Sequence, residues 1–256
     1  DASIGSISGV MEAQGECTNA LFGSGKKTFW VTSSTSTPGA IDEFKVGGTS
    51  PIKSLSVPSG DIPVGCAMDP STGNLVATII NNGAVVIYKK ASGKGTVSQT
   101  PLIEASFAGF DKGGNLYVDG LNSNNAFGFV ELKEGRSRWK TLSLSNSASG
   151  GSVQYDGKYV TINDQQARAI YGYACSGTTC TLKRTVSLGC GGQSWIAKGY
   201  VICRMPATTT PKSTSIRPAA PRSRPLQAPS PSRSVRCKSK NDSKACSRSS
   251  ETHLGR

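Results

Sequence analysis

The sequence contains a single histidine in 256 residues, and that residue, His253, lies in an atypical C-terminal segment. The rest of the chain therefore has no imidazole for a Ser/His/Asp or Cys/His pair, which excludes the commonest hydrolase designs. The sequence also lacks any apolar run of about 18 residues, so we expect no membrane-spanning helix. No window of useful length has the apolar spacing of an amphipathic helix, and this absence favours an all-β protein.

Acidic residues are few, 16 against 29 lysines and arginines, which gives a net charge of +13. Residues 204–256 hold 12 of these basic residues and two acidic ones, a net charge of +10. Residues 1–203 are left with a net charge of only +3. Such a balance in the main part of the chain does not indicate a basic binding surface, and we expect no nucleic-acid partner.

Residues 1–203 contain six cysteines: Cys17, Cys66, Cys175, Cys180, Cys190 and Cys203. An even count with no histidine among them argues for disulfides rather than zinc ligands. Disulfides form in oxidising compartments, so we expect a secreted or periplasmic protein. The sequence begins at Asp1 with neither Met nor a charged leader, and we expect any signal peptide to have been removed or never included.

The sequence repeats itself with a period of about forty residues. "MDPSTGNLVATIINNGAVVIYKKA" (68–91) matches "FDKGGNLYVDGLNSNNAFGFVELKE" (110–134) in the order of Asp, Gly-containing turn, Asn-Leu, apolar strand, polar turn and second apolar strand. Residues 155–175 follow the same plan, and residues 24–46 and 197–203 fit at either end. Self-similarity at this period is the signature of a repeat architecture.

Each unit predicts four short strands, because its apolar stretches are β-branched or aromatic and too short for helices. Four strands in each unit are typical of a β-propeller blade, whereas the alternative, a Greek-key sandwich, does not demand a repeat. The predicted fold is all-β, a β-propeller with five recognisable blade repeats (five or six blades) whose last blade is incomplete. We place it in residues 16–203, after an N-terminal extension of residues 1–15.

The order of strands within a unit places the first one at the centre of the propeller. In "PVGCAMD" the small residues Gly65, Cys66 and Ala67 suit a crowded channel where adjacent blades converge. An aspartate recurs at one turn position of three units: Asp69, Asp111 and Asp156. Because they belong to separate blades, we expect each to accept backbone N–H bonds in its own turn rather than to share a metal.

The pattern Asp-x-x-Gly-Asn-Leu-hydrophobic, clearest in "GFDKGGNLYVDG", resembles the blades of NHL-type and gluconolactonase-like propellers. It is most similar to a group of exported bacterial propeller proteins, mostly without an assigned activity, over roughly residues 16–203. The resemblance implies a scaffold whose loops collect on one face of the channel. Since propellers host unrelated activities, the motif indicates the fold and not the function.

Gluconolactonase-like propellers hold a divalent metal in the channel through carboxylate and amide oxygens, and the resemblance implies candidates for that role. They follow the second strands of neighbouring blades: Asp119, Asn122, Asn163 and Asp164. A hard cation such as calcium needs six to eight oxygens converging on one point. "DG" and "ND" are also ordinary turn dipeptides, and we favour that interpretation while leaving the metal site open.

The spacing in "CSGTTC" predicts a disulfide between Cys175 and Cys180, which would stabilise the fold by about 2 kcal/mol. Cys190 and Cys203 flank a strand turn and can pair across it. Cys17 and Cys66 occupy like positions on first strands, where burial as free thiols is equally compatible.

The three tryptophans differ in their surroundings. Trp30 and Trp195 lie in apolar strands and are expected in the core, whereas Trp139 in "EGRSRWKTL" is a candidate to stack on sugars or bases.

The segment 204–256 contains 7 of the 13 prolines and no aromatic residue, a composition typical of a disordered tail. A sharper interpretation is out-of-frame translation after the loss of one C following the Cys203 codon. Read in the other frame, residues 204–222 back-translate to "PDAGNNDAEVYKYPAGGAP", a hairpin that would complete the last blade and that resembles segments of the same propeller group. We therefore predict that residues 204–256 are disordered and that residues 200–203 form an unpaired edge.

Together these observations predict a non-enzymatic, monomeric, exported scaffold that binds a protein, glycan or small molecule through its loop face, with no cofactor. The alternative is a metal-dependent lactonase-like hydrolase, which would require a divalent cation such as calcium.

Overall fold

The computed structural model describes residues 13–17, 28–33, 39–58, 60–146, 148–188, 194–197, 200–204 and 234–238. These residues form five separate β-sheets, which we number in chain order. Sheet 1 consists of β1 (Ala13–Cys17), β2 (Thr28–Ser33), β3 (Ala40–Lys45) and β4 (Pro51–Ser56). Sheet 2 consists of β5 (Pro63–Met68), β6 (Leu75–Ile79), β7 (Ala84–Tyr88) and β8 (Thr96–Gln99). Sheet 3 consists of β9 (Glu104–Phe110), β10 (Leu116–Leu121), β11 (Phe127–Leu132) and β12 (Trp139–Thr141).

Sheet 4 begins with β13 (Ser143–Leu144) and continues with β14 (Ser152–Tyr155), β15 (Val160–Asp164), β16 (Ala169–Ser176) and β17 (Thr179–Ser187). Sheet 5 consists of β18 (Ser194–Ala197), β19 (Tyr200–Arg204) and β20 (Ser234–Lys238). Consecutive strands pair antiparallel within each sheet, except that β13 pairs parallel with β17 at the outer edge of sheet 4. No helix within the described ranges is long and apolar enough to cross a membrane.

The first strands of successive sheets lie next to one another: β1 beside β5, β5 beside β9, β9 beside β14, and β14 beside β18. The chain therefore passes around a common centre and builds each sheet outward from its innermost strand. This radial order is the one that the repeat predicts.

The turn between the first two strands of a sheet is set by local chemistry. The carboxylate of Asp111 accepts the backbone N–H of Gly113 at 2.8 Å and that of Asn115 at 3.0 Å. Asp69 and Asp156 accept N–H bonds from their own turns in the same way. The prediction that these aspartates serve their turns is confirmed.

The apolar core lies between the sheets rather than in one central mass. One cluster joins sheets 1 and 2, with Ile41 and Val86 both fully buried. A second joins sheets 2 and 3, and a third joins sheets 3 and 4 through Phe129 and Ile162. Burying both faces of each sheet against its neighbours explains why β6, for example, is buried at every position.

Adjacent first strands approach so closely that side chains are excluded at two positions. A Cβ on Gly65 would lie 2.3 Å from the carbonyl oxygen of Ser106 in β9, and one on Gly109 would lie 2.4 Å from the carbonyl oxygen of Val153 in β14. The prediction that small residues suit a crowded centre is confirmed at Gly65.

The end of the chain differs from expectation in one place. β20, which lies within the segment expected to be disordered, pairs antiparallel with β19 from Tyr200–Lys238 to Arg204–Ser234. The backbone groups of β19 therefore have a partner, because a strand edge is a template for any segment that can extend beside it. The expectation of an unpaired edge at residues 200–203 is therefore wrong, and Ser234–Lys238 form a strand where disorder was expected. The rest of 205–256 lies outside the described residues, and the domain boundaries stay a prediction.

Candidate functional site

Strand direction alternates within each sheet, so every second connection lies at the same end. This end carries the loop from the second strand to the third and the loop from the fourth strand to the first strand of the next sheet. We call this end the loop face. Three of the four predicted metal ligands, Asn122, Asn163 and Asp164, lie within one residue of the loop-face ends of β10 and β15. Asp119 lies inside β10, two residues before its end, and is fully buried.

The second strands of sheets 2, 3 and 4 each carry a buried polar residue at the same position. In each of these strands it lies three residues after the first residue. In sheets 2, 3 and 4 this residue is Thr78, Asp119 and Asn163. The Thr78 hydroxyl accepts the N–H of Gly65 at 2.8 Å and donates to the carbonyl oxygen of Ser106 in the next sheet at 2.7 Å. This position therefore links neighbouring sheets near the centre.

Asp119 occupies the same position but lacks a hydroxyl to donate. Its Oδ1 accepts the N–H of Phe107 at 2.8 Å, and its fully buried Oδ2 has no hydrogen-bond partner among the described residues. A Cβ on Gly150 would lie 3.1 Å from Oδ2, so this oxygen faces the segment that leads into β14. Burial raises the pKa of the Asp119 carboxyl to about 7, because the desolvation of the charged form outweighs the bond from Phe107.

Asp164 has both carboxylate oxygens engaged. Oδ1 accepts the N–H groups of Gln166 at 2.9 Å and Ala167 at 2.8 Å, and Oδ2 accepts the N–H of Ser149 at 3.0 Å. The carboxylate therefore closes the β15–β16 turn and ties it to the segment before β14.

Asn122 closes its own turn in the same manner, since its Oδ1 accepts the N–H groups of Asn124 at 2.9 Å and Ala126 at 3.2 Å.

Residues 148–151 form the meeting point of this region. Gly150 lies against Asp119, Gly151 lies against Asn163, and the Gln165 amide donates to the carbonyl oxygen of Gly150 at 3.1 Å. The structure thus brings Asp119, Asn163 and Asp164 to one segment, and leaves Asn122 in a separate turn. Within the parts of the chain that the structure describes, no group of three or more His, Cys, Asp or Glu residues is placed to hold a metal.

The loop face also presents two residues that the sequence reasoning missed. Ile62 and Ile103 each precede a first strand, 40% and 41% exposed, in adjacent sheets. The two isoleucines are 41 residues apart, which equals the repeat step from Leu75 to Leu116. This equal spacing is the sequence pattern that indicates equivalent positions in adjacent units.

The loop that carries Ile62 is braced by amides. Asn81 accepts the N–H of Ile62 at 2.9 Å and donates to the carbonyl oxygen of Gly60 at 2.9 Å, and Asn82 donates to the Asp61 carboxylate at 2.8 Å. Ile62 is therefore held on an ordered loop.

The cysteines and tryptophans lie mostly away from the loop face. Cys175 and Cys180 form a disulfide across the β16–β17 hairpin, with a Cα–Cα distance of 4.0 Å. Cys66 is disulfide-bonded, so the free-thiol alternative is wrong for that residue. Cys190 and the side chain of Cys203 lie outside the described residues, and their pairing stays a prediction.

Trp30 is buried in the core as predicted, and Trp195 is partly buried. The Trp139 ring is partly buried, and its Nε1–H donates to the Ser98 hydroxyl at 3.0 Å.

One solved structure similar to this chain is the crystal structure of a nidogen/laminin complex, with a TM-score of 0.54 and 17% sequence identity. The match covers 70% of this chain and 65% of the other, so this chain spans about two thirds of its neighbour's length. The likeness supports a β-propeller fold. At this identity it shows the fold alone. No protein-family model matches the chain, and no curated protein matches it.

Proposed function

We propose that this propeller is a non-enzymatic scaffold that binds a ligand or protein partner through its loop face. The observation that carries the proposal is the pair Ile62 and Ile103, two large apolar side chains exposed at equivalent places on adjacent sheets. Exposed apolar surface ringed by polar groups is typical of interaction sites. The Asn81 and Asn82 bonds hold the loop in place, which lowers the entropy that binding would cost. The similar chain of known structure was solved in a nidogen/laminin complex, which is in keeping with a binding role.

The test compares capture of a partner from the native source by three proteins. Ile62→Ser with Ile103→Ser should lower capture at least about tenfold, since interface binding energy concentrates in a few apolar anchors. The matched control is Ile52→Ser with Val97→Ser, which removes side chains that are 50% and 49% exposed on the outermost strands of sheets 1 and 2. Equal capture by the two double variants would refute the loop face as the binding surface.

The second candidate, a metal-dependent lactonase-like hydrolase, is favoured by one observation, the buried Oδ2 of Asp119 with no hydrogen-bond partner among the described residues. That oxygen fits a cation ligand, whereas the oxygens of Asn122 and Asp164 already accept backbone N–H groups. The test is a thermal-shift series with calcium, magnesium and manganese. A gain specific to one ion that vanishes in Asp119→Ala would support the hydrolase and count against the scaffold.

We further propose that the protein is exported, because the Cys175–Cys180 bond and the bonded Cys66 suit an oxidising compartment. Trapping the thiols in cell fractions tests export: a reduced cytoplasmic pool alone would contradict it. The origin of residues 204–256 in a frameshift is likewise a proposal. Sequencing the 3′ end of the gene tests it, and an intact C run in several isolates would refute it.

A further inference from the structure

A basic cleft lies at the end of the sheets opposite the loop face, between sheets 3 and 4. It has a volume of about 560 Å³. We define the cleft by six of its lining residues: Lys133, Arg136, Arg138, Trp139, Lys140 and Thr178. A volume of this size falls within the range of about 300–1,000 Å³ typical of ligand sites.

Three of the four cations in the cleft are free to meet a ligand. Lys133, Arg136 and Arg138 are exposed and form no salt bridge with any residue that the structure describes. Lys140 differs, because its Nζ lies 2.9 Å from the buried carboxylate of Glu131. The balanced net charge of residues 1–203 therefore conceals a local concentration of positive charge.

The acidic residues nearest in sequence do not cancel this charge. Glu131 also lines the cleft, where its carboxylate offsets Lys140 and its Oε1 accepts a hydrogen bond from the Tyr117 hydroxyl at 3.1 Å. Glu134 lies over the neighbouring turn, where a Cβ on Gly114 would be 3.1 Å from its Oε2. Glu134 does not line the cleft.

The walls of the cleft are fixed from both sides. The Trp139 ring packs against the core cluster of sheets 2 and 3 while its Nε1–H is bound by Ser98. On the other side, Lys140 donates to the carbonyl oxygen of Gly177, next to Thr178. The Cys175–Cys180 disulfide closes the hairpin that carries this turn. Such a preformed site loses little entropy when a ligand binds.

We infer that this cleft binds an acidic polysaccharide. Guanidinium groups pair with carboxylate or sulfate through two parallel N–H bonds, which suits Arg136 and Arg138. The Trp139 indole offers an apolar face beside this charge, a combination that fits a sugar ring bearing an acidic group. Single-stranded nucleic acid fits less well, because its binding sites carry a row of aromatic platforms and this cleft has one.

The experiment measures binding of polygalacturonate and dextran sulfate to the full chain by calorimetry, with neutral dextran as the blank. Arg136→Gln with Arg138→Gln should weaken binding about tenfold and flatten its salt dependence, since two ion pairs are removed. The matched control, Lys45→Gln with Lys89→Gln, removes the same charge from exposed positions at the end of β3 and directly after β7 and should bind as the wild type does. All variants keep residues 204–256, so the charge of that segment cannot explain a difference between them.

Trp139→Phe supplies a second readout. Quenching of tryptophan fluorescence by the glycan should be present in the wild type and reduced in this variant. The inference is overturned if neither glycan binds, or if the two double variants bind alike. It is equally overturned if poly-glutamate or single-stranded DNA binds as tightly as the glycans, since that result would indicate an unspecific electrostatic attraction.

Discussion

Replacing Asp119 by Asn should remove a pH-dependent penalty from the stability of the fold. Burial raises the pKa of this carboxyl from 3.8 to about 7, so the folded chain holds a proton that the unfolded chain has released. A raised folded-state pKa contributes stability that is complete below about pH 4 and is lost as the pH rises to about 7. At about 1.4 kcal/mol per pKa unit, the loss amounts to about 4 kcal/mol. The Asn amide oxygen can still accept the N–H of Phe107 and carries no charge.

The assay is urea unfolding from pH 4 to pH 8 in the presence of a chelator, so that no cation can occupy the site. Asp119→Asn should match the wild type at pH 4 and exceed it by up to about 4 kcal/mol at pH 8. Asp111→Asn serves as the control, because it removes a carboxylate from the other end of β10 and should leave the decline in place. Parallel curves for the wild type and Asp119→Asn would refute the reasoning.

Three further predictions are checked by the same unfolding assay. Thr78→Val should lower the free energy of unfolding by about 1–3 kcal/mol, because the N–H of Gly65 and the carbonyl oxygen of Ser106 lose their hydrogen-bond partner. The control Thr96→Val changes an exposed residue and should cost little, so equal losses in the two variants would contradict the link between sheets. Gly65→Ala should cost at least about 1–3 kcal/mol because its Cβ would lie 2.3 Å from the Ser106 oxygen, whereas Gly113→Ala should stay within about 0.5 kcal/mol. Cys175→Ser with Cys180→Ser should cost about 2 kcal/mol under oxidising conditions and nothing in excess reductant.

The features that the sequence predicts correctly are those set by local chemistry. Asp111 and Asp156 bond within their own turns, and hairpin pairing between consecutive strands follows from the alternation of short apolar runs and turns. Because the units repeat, a wrongly predicted strand in one unit does not change the strands predicted for the other units. The radial order therefore needed no long-range information.

The features that the sequence could not supply depend on contacts distant along the chain. Asp119 is buried by a segment about thirty residues later, which also draws Ser149 to Asp164. β13 pairs with β17 over only two residues, and β20 pairs with β19 although 29 residues of low-complexity composition separate them in the chain. The sequence could not reveal the basic cleft, because a net charge is a sum over all residues and does not show where the fold gathers the basic ones.

The most direct measurement of the scaffold proposal is site-specific cross-linking. A photo-reactive phenylalanine analogue at position 103 should capture the partner, because Ile103 lies on the loop face, while the same group at position 52 should not. Comparable exposure of Ile103 and Ile52 makes the comparison fair. Capture at position 52, or equal yields at both positions, would contradict binding through the loop face.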